Sequence, residues 1–249
     1  MKKSKIYYNK VKLKNPILIV GLPGIGSVGS LVASHLKNEL KAKKFATLIS
    51  PYFPHQVIML PSGKSRMVSN RFYYWKNSKG NDLVILLGDA QAVTPEGQYE
   101  VNDKIVKFFK SIGGKRIITI GGYNIADQYV RNPRVFGVAT TDKQIESLKK
   151  HGIIFGEATG AIWGSAGLIV EFAKKNKIEA ACLMGETGLV DIDANAAKAV
   201  LEKLAEILDL RIDLSNLESV KKETEKLVKS IEEAMKGGEP SKENMTYIR

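Results

Sequence analysis

The spacing that could most readily do chemistry is Gly24-Ile25-Gly26-Ser27-Val28-Gly29, which fits G-x-G-x-x-G. Between a strand and a helix, such a turn can cradle phosphate with backbone amides and a helix N-terminus. Its usual companion is a carboxylate about twenty residues further on, at the end of the second strand. That companion is missing, since the next carboxylate after Glu39 is Asp82. Pro23 removes an amide from the turn, and no Gly-Lys-Ser/Thr follows. Two readings stand: a phosphate or nucleotide loop at Gly24 to Gly29, and a tight turn that lets a helix pack closely. The missing half of the fingerprint favours the second.

Other reactive types are scattered. Asp89, Glu96, Glu100, Glu157, Glu186 and Asp191 fall near strand ends, but their spacing pairs none of them. Asp89 and Glu186 read equally well as helix caps or acceptors for turn amides. His35, His55 and His151 lack ligand spacing, so no metal site is expected. His35, on a helix, reads as a partly buried surface group. Cys182, in an apolar run, reads as a small core residue. Gly164-Ser165-Ala166-Gly167 lacks the spacing of a nucleophile elbow. No catalytic residue and no cofactor is therefore assigned. Arg71-Phe72-Tyr73-Tyr74-Trp75-Lys76 interleaves cations and rings and could stack single-stranded bases. Without a nucleic-acid module around it, it reads better as a strand covering a core or a subunit interface.

The sharpest signal lies at the far end. Residues 237–249 read as a flexible Gly/Pro/Ser-containing linker that delivers Met245, Tyr247, Ile248 and Arg249. Disordered ends usually shed apolar residues, which gain nothing in water. An apolar tip with a terminal carboxylate suits insertion into a partner's groove. The alternative is a tail docked on its own domain.

Composition sets the frame. The 249 residues are enough to bury a sizeable core, and 44% hydrophobic with 26% charged residues is ordinary for a globular protein. No apolar run approaches the roughly 20 residues of a membrane helix, and no signal core follows the basic N-terminus. One cysteine cannot form an internal disulfide, which fits a reducing cytoplasmic setting. The net charge of +12 admits anionic partners. The lysines are spread along the chain and often alternate with glutamate, which fits a thermophile's surface better than a nucleic-acid patch.

Elements follow from periodicity. Buried strands are expected over 17–20, 45–49, 82–87, 116–120 and 179–184, with 135–139 as a further strand and 6–8 as an edge strand. Helices are expected from Leu31, over 95–112 capped by Thr94, over 141–150, 161–176 and 193–208. Gln56 to Leu60 and Met67 to Trp75 read as an inserted antiparallel hairpin near 55–75. Four strands end at glycines, Gly21, Gly88, Gly121 and Gly185, where open parallel sheets collect ligands. Leu217, Val220, Thr224, Leu227, Ile231 and Met235 predict a helix over 214–236 with a narrow apolar seam. Residues 1–236 are thus expected as a single α/β domain, followed by the linker and tail.

Gly21-Leu22-Pro23-Gly24-Ile25-Gly26-Ser27-Val28-Gly29, Gly88-Asp89-Ala90-Gln91, Gly121-Gly122-Tyr123 and Ala158-Thr159-Gly160 running into the Gly164 to Gly167 helix start carry a resemblance. Together they resemble the archaeal branch of the proteasome assembly chaperone family, over about residues 15 to 235. The resemblance implies a three-layer αβα sandwich with a mostly parallel central sheet, similar to nucleoside-phosphorylase folds but without their activity. It implies self-association, as a homotetramer, and binding to the α-subunits of the 20S proteasome. Chains of this kind often end in a hydrophobic residue, tyrosine and any residue, inserted between α-subunits. Here the order is Tyr247-Ile248-Arg249, with tyrosine third from the end, so either Ile248 takes the tyrosine's place or the register shifts by one.

Overall fold

The structure, a computed structural model, describes residues 3–125, 130–157, 160–188, 192–215, 217 and 222. Its strands are β1 (Lys5–Tyr8), β2 (Ile17–Gly21), β3 (Lys43–Ile49), β4 (Val57–Met59), β5 (Ser65–Met67), β6 (Asn70–Trp75), β7 (Leu83–Gly88), β8 (Arg116–Asn124), β9 (Val135–Ala139) and β10 (Glu179–Thr187). The helices are α1 (Val28–Glu39), α2 (Pro95–Ser111), α3 (Asp142–Lys149), α4 (Ser165–Lys175) and α5 (Ala194–Leu208).

Eight strands form one sheet in the order β1-β3-β6-β7-β2-β8-β10-β9. β7, β2, β8 and β10 pair in parallel at its centre, and β3 runs the same way. β1, β6 and β9 run against them. The sheet is therefore mixed but mostly parallel. β2 and β7 are buried along their whole length, as strands covered on both faces must be. Their side chains alternate between two cores. Leu18 and Val20 join α2 and α4 through Val101, Ile105, Ile169 and Val170. Ile17 and Ile19 join α1 and α5 through Leu31, Val32, Val200 and Leu201. The result is helix, sheet and helix in three layers.

Local signals act as expected where they are strongest. Thr94 Oγ1 accepts from the Gly97 amide at 3.1 Å, with Pro95 in the first turn of α2. Asp193 Oδ1 accepts from the Ala196 amide at 2.9 Å and caps α5. Elsewhere the structure corrects the sequence. The hairpin is confined to β4 and β5; residues 70–75 instead form a strand of the main sheet between β3 and β7. Alternation alone cannot say which neighbour a strand pairs with. α4 starts at Ser165 and not at Ala161, because Gly164 sits at φ +72°, outside helical space. β8 and β10 do not stop at Gly121 and Gly185 but continue to Asn124 and Thr187. Of the helix expected over 214–236, only Leu214, Ser215, Leu217 and Lys222 lie among the described residues, and Leu217 is buried against the α1/α5 core. The linker and tail, residues 237–249, lie outside them.

The glycines of the first turn do unequal work. A Cβ on Gly21 would lie 2.0 Å from the Gly29 carbonyl oxygen, and one on Gly29 would lie 2.7 Å from that of Ile120. A Cβ on Gly24 would meet nothing nearer than 3.8 Å, and Gly24 is extended. Gly21→Ala should therefore cost about 1–3 kcal/mol by overpacking. Gly24→Ala should change stability by less than about 0.5 kcal/mol, as substitutions away from tight packing do. Urea unfolding of the two variants checks the contrast, and equal effects would contradict this packing account.

Candidate functional site

The parallel strands lift their carboxyl ends into a cleft of about 400 Å³. Its floor is Val20, Ile120, Gly121 and Met184, and its rim carries Ile25, Val138 and Trp163. Crevices of this kind, at the carboxyl ends of the strands, are the usual ligand positions in open α/β sheets. The glycine turn lies on one wall. There a single 3₁₀ turn, Ile25–Ser27, precedes α1, with Gly26 at φ +59° and Ser27 at φ +49°. The Ser27 amide donates to Gly24 O at 2.9 Å, and the Val28 amide donates to Ile25 O. Two of the donors that a phosphate would need are thus already engaged.

Gln91 closes the opposite wall. Its Nε2 donates to Pro23 O at 2.6 Å, and its Oε1 accepts from the Ser165 amide at 2.8 Å. One carboxamide therefore joins the loop after β2, the loop after β7 and the start of α4. It also takes up the first amide of α4. A Cβ on Gly164 would lie 2.5 Å from Gln91 Oε1, so the glycine there makes room for this clasp. A lone glutamine such as Gln91 carries no spacing signal in the sequence. Its only trace was the Gly88-Asp89-Ala90-Gln91 motif.

The carboxylates resolve into separate roles. Asp89 has a side chain with no exposed surface. Its Oδ1 accepts from Arg66 Nη2 at 2.9 Å and Arg71 Nη2 at 2.8 Å. Its Oδ2 accepts from Arg66 Nη1 and from the Ser69 amide at 3.0 Å. Arg66 lies on β5, so this pairing fastens the β4–β5 hairpin to the end of β7. Glu186 on β10 accepts from Arg134, with Nη2 at 2.6 Å and the backbone amide at 3.1 Å. The Arg134 guanidinium holds the Glu186 carboxyl below the usual carboxylate range, against the opposing effect of burial. Arg134 in turn stacks on Phe136, 5.0 Å from the ring centroid. Glu100 ties down Ser4 by accepting from its amide at 3.2 Å. Glu96 is exposed in the first turn of α2, where it complements the helix dipole. Glu157 is exposed, 3.9 Å from Arg134. Asp191 lies outside the described residues.

The remaining candidates stay apart. His35 is a correction: it is buried to 1% exposure, with Nε2 2.7 Å from the Asp213 carbonyl oxygen. The segment after α5 folds back over α1 and covers it, which the α1 sequence alone cannot reveal. Cys182 is fully buried, and burial pushes its thiol up to about 11, as an inert core thiol requires. Among the described residues no group of three His, Cys, Asp or Glu could hold a metal ion. The Arg71 to Trp75 strand is spent inside the sheet: Phe72 is buried, and Phe45, Phe72, Tyr74 and Phe108 stack edge to face or in parallel.

Exposed apolar side chains gather at this end of the sheet. Trp163 is 83% exposed beside the cleft, and Met59 is 82% exposed on the hairpin. Val57 and Met67 are paired across the hairpin and are also exposed, so the hairpin offers an apolar face. Single exposed apolar residues mean little, but such a grouping suits contact with another protein.

This architecture, and the motif-bearing turns that shape the cleft, match the PAC2 family over residues 18–232. The chain belongs to the PAC2 family. A protein of Methanocaldococcus jannaschii of uncharacterised function is 38% identical over 98% of both chains. Among solved structures, Pyrococcus furiosus PbaB, described as an archaeal proteasome activator, is 39% identical. The alignment covers 93% of this chain and all of PbaB, with a TM-score of 0.82. Pyrococcus furiosus PbaA, described as an archaeal homologue of a proteasome-assembly chaperone, superposes with a TM-score of 0.76. At 24% identity over 93% of this chain and 99% of PbaA, that likeness shows the shared fold. No helix among the described residues is long and apolar enough to cross a membrane.

Two predictions follow from the ion pairs of this family member. Asp89→Ala leaves two arginines without their carboxylate and should lower stability by about 3 kcal/mol, measured by thermal or urea unfolding. The depressed Glu186 carboxyl stabilises the folded state fully above its unfolded pKa, about 4.3. That contribution is lost as pH falls through the lower folded value. Wild type should therefore exceed Glu186→Gln in stability at neutral pH, with the gap closing on acidification below about pH 4. A gap that stays constant down to acid would show that the pairing contributes nothing.

Proposed function

We propose that this chain is a non-enzymatic, ATP-independent chaperone or activator that binds the α-subunits of the 20S proteasome in the cytoplasm. The observation that carries this reading is the match to PbaB, which extends over that protein's whole length. The cleft supports it. Among the described residues no carboxylate lines it; the buried carboxylates near the strand ends, Asp89 and Glu186, are taken up by arginines, and the helix-start amides by Gly24, Ile25 and Gln91. In this reading the body self-associates, as a homotetramer, and presents several copies of Met245, Tyr247, Ile248 and Arg249 to the α-ring. Tails on one scaffold raise each other's effective concentration, so weak single contacts can sum. The exposed hairpin face and Trp163 support self-association.

A second reading, a phosphorylase-like or nucleotide-binding enzyme using the Gly24 to Gly29 loop, draws on the cleft itself. Clear thermal stabilisation by a nucleoside, phosphate or dinucleotide would favour it, since ligands that bind only the native state stabilise by mass action. The tail mechanism is tested by pull-down against purified α-ring with the full chain and with a chain lacking residues 245–249. The truncated chain should lose binding while its unfolding curve is unchanged. Undiminished binding by the truncated chain would overturn tail insertion, and failure of both chains to bind would overturn the proteasome reading.

A further inference from the structure

A second concavity lies at the opposite end of the sheet, where the central strands begin. It is an open groove of about 950 Å³ between the amino ends of β2, β8 and β10 and the ends of α2, α3 and α4. Its lining carries Lys110, Lys115, Arg116, Lys143 and Lys177, against Glu179 as the one carboxylate among the described lining residues. Helix geometry explains part of this. Lys110 sits in the last turn of α2, where a cation complements the dipole, and its Nζ donates to Asn176 O at 2.9 Å.

The other four cations have no such account. On outer helix faces, Lys107, Lys149 and Lys203 pair with Asp103, Glu146 and Glu206 three or four residues away. Lys115, Arg116, Lys143 and Lys177 have no carboxylate within 4.0 Å among the described residues. They come from three separate stretches of the chain, the start of β8 with the residue before it, α3 and the turn before β10, and converge only in the folded state. Lys177 is held at φ +58° between α4 and β10, a left-handed turn that fixes where its side chain starts. Like charges gathered on a concave wall focus the field and raise the local concentration of anions.

From this convergence of unpaired cations we propose that the groove docks an acidic polypeptide segment of a partner protein. Charge complementarity selects the sign of the occupant. The uncharged lining selects its kind. Exposed Asn15, Asn81 and Ser147 stand among the cations and can hydrogen-bond to a peptide backbone between its carboxylates. Among the described residues no aromatic side chain lines the groove, and stacking on aromatics is what single-stranded nucleic acid uses. This surface is remote from the strand-end cleft and does not depend on the tail.

The test titrates a fluorescein-labelled peptide of about eight glutamates into the full-length chain, read by fluorescence anisotropy at low and moderate salt. Wild type should bind, more weakly as salt rises, and the Lys115→Glu/Lys143→Glu/Lys177→Glu variant should bind about tenfold or more weakly. All three side chains are exposed, so thermal unfolding should show the variant folded. A chain lacking residues 245–249 should bind the peptide as wild type does. The proposal is overturned if the triple variant binds like wild type, if wild type does not bind, or if tail removal abolishes binding. It is equally overturned if a single-stranded or duplex oligonucleotide of equal charge displaces the peptide at lower concentration than unlabelled peptide does.

Discussion

Helix α1 can sit where it does only because backbone meets backbone at Gly21 and Gly29. The Gly29 carbonyl occupies the space in which a side chain on Gly21 would start, and Gly29 itself lies against the Ile120 carbonyl. That approach brings α1 down onto the ends of β2 and β8. The other wall then follows, because Gln91 reaches Pro23 across the cleft and Ser165 beyond it. Moving α1 outward by the thickness of one methyl group would disturb all three connections at once. Interiors this dense transmit displacement and do not absorb it.

Close packing around the strand ends also governs the two buried carboxylates there. Buried charges persist only when paired and hydrogen-bonded. Asp89 meets that condition through two arginines and an amide, and Glu186 through Arg134. Each carboxylate secures a neighbouring segment, the β4–β5 hairpin in one case and the start of β9 in the other. The exposed side chains at that end include the apolar Trp163 and the hairpin residues Met59 and Met67. The molecule is thus two-ended, with apolar side chains around the carboxyl ends of the strands and unpaired cations around their amino ends.

The local features of the chain were legible because they depend on near neighbours in sequence. The Ile17 to Val20 run announced a strand covered on both faces, and Thr94-Pro95 and Asp193 announced helix starts that the amide hydrogen bonds bear out. The choice between a phosphate loop and a tight turn at Gly24 to Gly29 was also readable in part, since the missing acidic partner already argued for close packing. Motif resemblance pointed to the family that the full-length comparison shows.

What the tertiary structure alone decided are pairings between residues far apart in the chain. Strand alternation over 67–75 is the same whether those residues form a hairpin arm or a sheet strand, and only the partners β3 and β7 settle it. His35 was buried by Asp213, 178 residues away, and Asp89 was engaged by arginines 23 and 18 residues before it. The unpaired groove cations converge from three stretches whose separation in sequence carries no signal. Periodicity and capping are local energies and can be read along the chain, whereas these contacts exist only once the sheet order has brought their residues together.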